Sequence, residues 1–127
     1  MNSSILVVFL SSVFFFGTLD AAKVLFLHGS RSHASGDHEF QAGSHLLTKH
    51  INAQKKVNLQ ASMHHGWPAD ESILDEADAI VIYADGTKVI GSGWAKMDQL
   101  VKDKKIGILF MHYAVHPSVE ELSLIHI

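Results

Sequence analysis

The stretch KVLFLHGSRSHASGDHEF at residues 23–40 predicts the start of an open parallel sheet. Its apolar run at residues 24–27 has the length and character of a buried strand, and this run ends at His28. A loop rich in Gly, Ser and His follows, and Asp37 is placed to cap a helix. Ligands of parallel sheets bind beyond the carboxyl ends of the strands, where loops lead into helix N-termini. The loop after His28 is therefore the first candidate for a functional site.

Strand and helix patterns alternate along the rest of the chain. Apolar residues at helical spacing predict helices over residues 37–53, 70–75 and 94–102. Further strands are predicted over residues 57–63, 79–83 and 105–111, whereas residues 87–93 fit neither pattern. This alternation predicts an α/β fold with right-handed crossovers, namely a flavodoxin-like open parallel sheet with helices on both faces.

Polar side chains follow most of the predicted strands. In a parallel sheet the carboxyl ends of the strands share one edge, so these side chains are expected to converge there. They are His28, His64, His65, Asp85 and His112. The sequence therefore predicts a rim rich in His and Asp at one edge of the sheet.

Composition excludes several classes of protein. The 127 residues suffice for one domain, and 47% of them are hydrophobic, as is usual for a globular fold. A formal net charge of −3 without a basic run argues against a nucleic-acid partner. The chain has no Cys, which excludes disulfides, thiolate metal sites and cysteine nucleophiles. Ten histidines are a high count for this length, and several of them cluster in the first loop.

Residues 1–22 have the pattern of a secretory signal peptide. The apolar run at residues 5–17 is too short to span a bilayer comfortably, and Ala21-Ala22 supplies small residues for cleavage. The residues before this run include no Lys or Arg, so an uncleaved membrane anchor is the alternative. We expect an exported protein, periplasmic or extracellular, that contacts no membrane beyond this segment.

A series of short motifs resembles the ThuA-like family, which is named for a trehalose-utilisation protein. The motifs are VLFLHG at residues 24–29, Ser32-His33, DHEFQAG at 37–43, Gly66-Trp67-Pro68, ADAIV at 77–81, YADG at 83–86 and MHYAV at 111–115. Their order and separations match exported members of the family from Lys23 to about Pro117. The resemblance implies a class I glutamine amidotransferase-like fold over residues 23–121 and a role in using trehalose or a related sugar.

The chain departs from that resemblance in three places. In glutamine amidotransferases the strand matching residues 105–111 delivers a cysteine at a sharp elbow, where this chain has His112. Without a cysteine no thioester forms, so glutamine hydrolysis by that route is excluded. After Asp85 similar proteins have a glycine-rich segment with a histidine, whereas this chain has TKVIG at residues 87–91. Residues 122–127 resemble translated adapter sequence, so we expect them to be a non-native tail. We also expect a sheet that is incomplete at the C-terminus. Its exposed edge would favour homo-oligomers.

The predicted catalytic residues are His112, His33 and Asp85, and the predicted substrate-binding residues are His28, Ser30, His38, Glu39 and Tyr113. A loop histidine titrates near neutral pH and can exchange protons with a sugar hydroxyl when a carboxylate orients it. Alternatively, His33, His38 and Glu39 are a sufficient ligand set for a divalent metal such as zinc, so the cofactor stays open. Structural roles compete with these: Asp37 and Glu39 could serve only the helix N-terminus.

The sequence therefore predicts a carbohydrate-utilisation protein that binds a small sugar at the rim and acts on it, without glutamine amidotransferase activity. A non-catalytic sugar- or metal-binding domain is the alternative. Trp67 has two interpretations as well, because its ring could stack on a sugar or close the core. Flavin and nucleotide binding are not expected, since the loop at residues 29–36 has neither G-x-G-x-x-G nor a P-loop lysine.

Overall fold

The apolar runs of the chain form one parallel sheet in the computed structural model, which describes residues 20–116. Its strands are β1 (Ala22–His28), β2 (Leu59–His65), β3 (Ala79–Tyr83) and β4 (Gly107–Met111). The helices are α1 (Phe40–Ala53), α2 (Ser72–Asp75) and α3 (Trp94–Gln99), and α3 continues into a π-helical turn, Leu100–Lys104. Short 3-10 turns occupy Thr87–Val89, Gly91–Gly93 and His112–Val115.

The strand order is β2-β1-β3-β4, and all neighbouring pairs are parallel. Strand β2 therefore lies on one side of β1, and the chain then crosses back to place β3 on the other side of β1. The loops that leave the carboxyl ends of β1 and β3 therefore diverge, which opens a crevice between them. The prediction of a flavodoxin-like open parallel sheet is confirmed, and this crevice is where such sheets bind ligands.

Alternate residues of the strands point into two apolar layers, one on each face of the sheet. On one face the strand residues Leu25, Leu27, Ile80 and Ile82 pack in one core cluster with Leu74 of α2 and Met97 of α3. On the other face a smaller cluster joins Phe26, Ala61 and Val81 to Leu47 and Ile51 of α1. Helices therefore cover both faces, as the sequence predicts.

Helix α1 begins at Phe40, three residues later than predicted, and Asp37 is not its cap. Glu39 holds the N-cap position without a side-chain cap hydrogen bond. Gly36 and His38 have φ of 93° and 49°, and the Asp37 amide donates to the Ala34 carbonyl. Residues in the left-handed region cannot continue a right-handed helix, so the turn delays the helix to Phe40.

Strand β2 lies two residues later than predicted, because its register follows β1. Ala22 pairs with Leu59 at one end, and His28 pairs with His65 at the other. The pairing extends β2 through His64 and His65, which the sequence interpretation assigned to a loop, and leaves Val57 exposed before the strand. The ends of β2 are therefore set by the length of β1, with which it pairs, and not by the local alternation of apolar and polar residues.

Most of the predicted secretory segment and all of the predicted C-terminal tail lie outside the described residues. Ala22, the last residue assigned to that segment, is the first residue of β1. No helix within residues 20–116 has the length and apolar character needed to cross a bilayer.

Candidate functional site

The candidate site lies beyond the carboxyl ends of β1, β3 and β4. The loop after β1 carries Ser32, His33 and His38, whereas Asp85 follows β3 and His112 follows β4 directly. These residues are far apart in the chain, and the sheet order brings them together: Asp85 and His38 are 47 positions apart and in hydrogen-bond contact. We call Ser32, His33, His38, Asp85 and His112 the rim cluster.

The carboxylate of Asp85 is the centre of the rim cluster. His38 Nδ1 lies 2.8 Å from Asp85 Oδ2, and His33 Nδ1 lies 3.5 Å from the same oxygen. The Ser32 hydroxyl also donates to this oxygen, and its Oγ lies 2.8 Å and 3.1 Å from Nδ1 of His33 and His38. One carboxylate therefore orients two imidazole rings from the loop after β1.

The second oxygen of Asp85 is buried and accepts no hydrogen bond from the described part of the chain. His112 Nδ1 is 3.1 Å from this Oδ1 atom, but the two are not in hydrogen-bond geometry, so we do not count this contact as a hydrogen bond. Buried carboxylate oxygens normally have a donor, and an orphaned one needs an explanation. A bound ligand that donates to Oδ1, or coordinates it, would supply one.

Asp85 is held in its charged form. Desolvation of the carboxylate, the largest single effect, raises its pKa, but the hydrogen bonds from Ser32 and His38 and the charges of His38 and His112 lower it. The net result is a pKa below the ordinary value for Asp. The carboxylate of Asp85 is therefore charged at neutral pH.

Three imidazole rings pack in tilted and edge-to-face arrangements around this carboxylate, next to the ring of Phe40. The ring centroids of His33 and His38 are 3.8 Å apart, and those of His38 and His112 are 4.5 Å apart. The Phe40 centroid lies 5.8 Å from that of His38 and 5.5 Å from that of His112. The first residue of α1 thus supports the site from below.

Backbone strain accompanies the site histidines. His38 has φ of 49° and His112 has φ of 60°, a region that residues other than glycine rarely adopt. Such conformations cost on the order of 1–3 kcal/mol each and cluster at functional sites. At His112 the chain turns sharply from β4 into the turn His112–Val115. This turn places the imidazole beside Asp85.

Two clefts meet at Asp85. The larger one, of about 990 Å³, extends over the ends of β1, β2 and β3, and Ser30, His65, Trp67 and Lys88 are among its walls. The smaller one, of about 560 Å³, is lined by His33, His38, Asp85, Gly86, Tyr113 and His116. Asp85 lines both clefts, so a ligand in either one would lie beside this residue.

Trp67 closes part of the core and also lines the larger cleft. Its indole packs against the larger core cluster. The indole N–H donates to Glu71 Oε1 at 2.8 Å, and a Cβ at position 93 would lie only 2.1 Å from the ring. Gly93 therefore leaves the space in which the indole sits. The aromatic wall of the cleft is consequently part of the core.

Two of the predicted substrate-binding residues, His28 and Ser30, lie apart from the rim cluster. His28 is 2% exposed and lines neither of these two clefts. Ser30 lies in the larger cleft, where its Oγ is 3.0 Å from His65 Nε2. Tyr113, in contrast, lies beside the cluster: it is 61% exposed at the wall of the smaller cleft, and its ring packs edge to face against His112 with centroids 4.6 Å apart.

Glu39 is not the carboxylate that His33 and His38 share. It accepts the Gly36 amide at 3.0 Å and faces Arg31 at 3.5 Å. The hydrogen bond from this amide is the largest effect and lowers the Glu39 pKa; desolvation opposes it, and smaller effects of Arg31 add to the lowering. The predicted metal set of His33, His38 and Glu39 is therefore corrected, since Asp85 takes the place of Glu39.

Ser32 is a member of the rim cluster that the sequence interpretation did not select. Its hydroxyl contacts Asp85, His33 and His38. The available signal was its position in the loop, directly before His33 and among other polar residues. A serine in such a loop is too common to be selected without the tertiary contact.

Buried His28 is expected to make stability depend on pH. Burial is the main cause that lowers its pKa from the ordinary 6.5, with smaller contributions from His65 and His64, while a hydrogen bond with the Gly29 carbonyl opposes them. The unfolded chain therefore binds a proton to this residue more readily, and stability decreases as the pH falls below 6.5.

Urea unfolding at about pH 7.5 and pH 5.5 measures this effect. We expect His28→Gln to lose less free energy of unfolding between these conditions than the wild type does. An equal loss in both proteins would show that His28 does not contribute to the pH dependence.

Comparison of the chain with models of protein families, with curated proteins and with solved structures finds no match. The assignment of a function therefore depends on the chemistry of the rim cluster and of the two clefts.

Proposed function

We propose that this chain is an exported ThuA-like protein of carbohydrate utilisation, which binds a small sugar in the larger cleft and acts on it at the rim cluster. The position of Asp85 carries the proposal. Its charged carboxylate lines both clefts, and its buried Oδ1 accepts no hydrogen bond within residues 20–116. A sugar hydroxyl is a donor of the right kind, and a hydrogen bond to a charged group contributes about 1.5–3 kcal/mol.

The larger cleft has the size and lining that a small sugar requires. Its volume of about 990 Å³ lies at the upper end of the range for small-molecule sites. Trp67 offers an aromatic ring to the C–H face of a sugar, and Ser30 and His65 offer polar atoms in the same cleft. Arg31 and Lys88 add donors to the lining.

The rim cluster supports chemistry on the bound sugar. Predicted catalytic residues His112 and His33 lie 3.1 Å and 3.5 Å from the Asp85 carboxylate, which would hold the reacting hydroxyl between them. A histidine so placed can take a proton from that hydroxyl or return one. Because the chain has no cysteine, the proposed function does not include glutamine hydrolysis through a thioester.

A non-catalytic sugar-binding domain is the second candidate, and the openness of the rim favours it. The His33 side chain is 56% exposed, and Tyr113 is 61% exposed. Water reaches these side chains freely, whereas enzymes generally close their sites to strengthen the interactions that stabilise a transition state. The two candidates share the binding step and differ in whether the sugar is changed.

Fluorescence of Trp67 provides the test of binding. The chain has two tryptophans, so Trp94→Phe leaves Trp67 as the sole reporter. We expect trehalose or a related mono- or disaccharide to change its emission in a saturable way, with the same dissociation constant by calorimetry. Absence of saturable binding across a panel of such sugars would contradict the proposed function.

The bound sugar then distinguishes the two candidates. Carbon NMR of the mixture over time is expected to show a new product with the wild type and none with His112→Ala. Saturable binding with an unchanged sugar would identify a binding domain and not an enzyme.

A further inference from the structure

We infer that the rim cluster binds one zinc ion through His33, His38 and Asp85. One ring nitrogen of each histidine and one oxygen of Asp85 all lie within 4.8 Å of one another. This inference deepens the proposed function and rests on the same site. It assigns to the site a cation that would hold the reactive end of the sugar.

The separations in the cluster are close to those of ligands around one ion. Tetrahedral zinc with bonds of about 2.0–2.2 Å places its ligand atoms roughly 3.3 Å apart. His33 Nδ1 is 3.5 Å from Asp85 Oδ2, and His38 Nδ1 is 2.8 Å from the same atom. Small rotations of the two imidazoles would bring all three atoms into one coordination shell.

A second observation at Asp85 favours a cation site. Asp85 Oδ1 is buried and accepts no hydrogen bond among the described residues, although His112 Nδ1 is 3.1 Å away. Two polar atoms at this distance without hydrogen-bond geometry resemble two ligands of one ion. His112 is thus placed to serve as a fourth ligand or to face the open position of a three-ligand site.

Ser32 contacts the same three atoms that would bind the ion. Its hydroxyl bonds to Asp85 Oδ2 and lies beside Nδ1 of both His33 and His38. Zinc would therefore replace these hydrogen bonds, and the Ser32 side chain would rotate away or its hydroxyl would join the coordination shell.

Zinc is the ion that this ligand set favours. Imidazole nitrogen is a good ligand for zinc, whereas Ca²⁺ and Mg²⁺ prefer oxygen ligands and higher coordination numbers. The exposed side of the cluster leaves room for water or a sugar hydroxyl at the remaining position, which zinc would make more acidic.

Titration of the tag-free, metal-free full chain with zinc chloride tests the inference by calorimetry. We expect one site per chain, and a loss of affinity of at least about 100-fold in His38→Ala and in Asp85→Ala. His45, exposed on α1 outside the rim cluster, gives the control His45→Ala, which should bind as the wild type does.

Cobalt chloride provides a second readout, because visible absorption reports a tetrahedral site directly. The exposed His33 gives the variant His33→Ala, which tests the same ligand set if His38→Ala fails to fold. Equal zinc affinity in wild type and His33→Ala, or an equal loss in His45→Ala, would overturn the inference and indicate adventitious binding to surface histidines.

Sugar titrations with and without zinc separate this inference from the proposed function. Sugar binding by a chain that binds no zinc would overturn the zinc site and leave the proposed function intact. Zinc binding lost in His33→Ala, in a chain that binds no sugar, would support the zinc site and overturn the proposed function.

Discussion

Replacing Asp85 with asparagine is expected to weaken sugar binding by about 10- to 150-fold, which corresponds to about 1.5–3 kcal/mol. Asparagine keeps the shape of the side chain but removes the charge to which a sugar hydroxyl would donate. In the wild type, hydrogen bonds from Ser32 and His38 hold this charge in place, and the pKa of Asp85 is lowered. The loss should appear in the dissociation constant measured through Trp67 fluorescence.

Asp37→Asn is the matched control for this substitution. Asp37 lies exposed in the loop after β1 and outside the rim cluster, so its charge is removed from the same region without touching Asp85. We expect this variant to bind sugar with wild-type affinity. Unchanged affinity in Asp85→Asn, in a protein that unfolds at the wild-type temperature, would remove Asp85 from the binding site.

Replacing Phe40 with alanine is expected to lower the free energy of unfolding by about 3–5 kcal/mol. Phe40 is 1% exposed, and its ring packs edge to face against Tyr83 with centroids 5.0 Å apart. Truncation leaves a cavity between α1 and the carboxyl end of β3. Because the total stability of a domain is only about 5–15 kcal/mol, this single change should shift the urea midpoint substantially.

Two further variants test whether the loss of stability comes from the buried packing of Phe40 or would follow from any substitution on α1. Leu46→Ala removes a side chain from α1 that is 67% exposed, and it should change stability by no more than about 0.5 kcal/mol. Phe40→Leu keeps most of the buried volume, so a larger fraction of this protein than of Phe40→Ala should be folded. It nevertheless reduces the packing under the rings of His38 and His112. A cost for Phe40→Ala as small as that for Leu46→Ala would contradict the described packing.

Apolar runs made most of the sheet predictable. Strands β1 and β3 are nearly continuous apolar segments, as strands covered on both faces must be. Strand β4 is equally apolar although it lies at the edge of the sheet, where Leu109 is 55% exposed. All three strands were identified close to their observed bounds. The alternation with helical patterns predicted the parallel arrangement. Together these features predicted that Asp85, His112 and the loop after β1 share one edge.

Loop conformation was not predictable in the same way. The left-handed residues Gly36 and His38 delay α1, and no periodic pattern announces them. Pairing with β1 extends β2 to His65, because register depends on the partner strand. Local sequence patterns therefore located the helices and strands, but not the start of α1 or the end of β2.

Local patterns were sufficient to predict the α/β class, the strands and the edge on which the polar residues lie, because buried strands require apolar runs that are visible in the chain. The carboxylate that the histidines share could be identified only from the fold, and it is Asp85 and not Glu39. The fold also buries His28 and adds Ser32 to the cluster. These outcomes depend on contacts between loops far apart in the chain, which the strand order creates and no local pattern encodes.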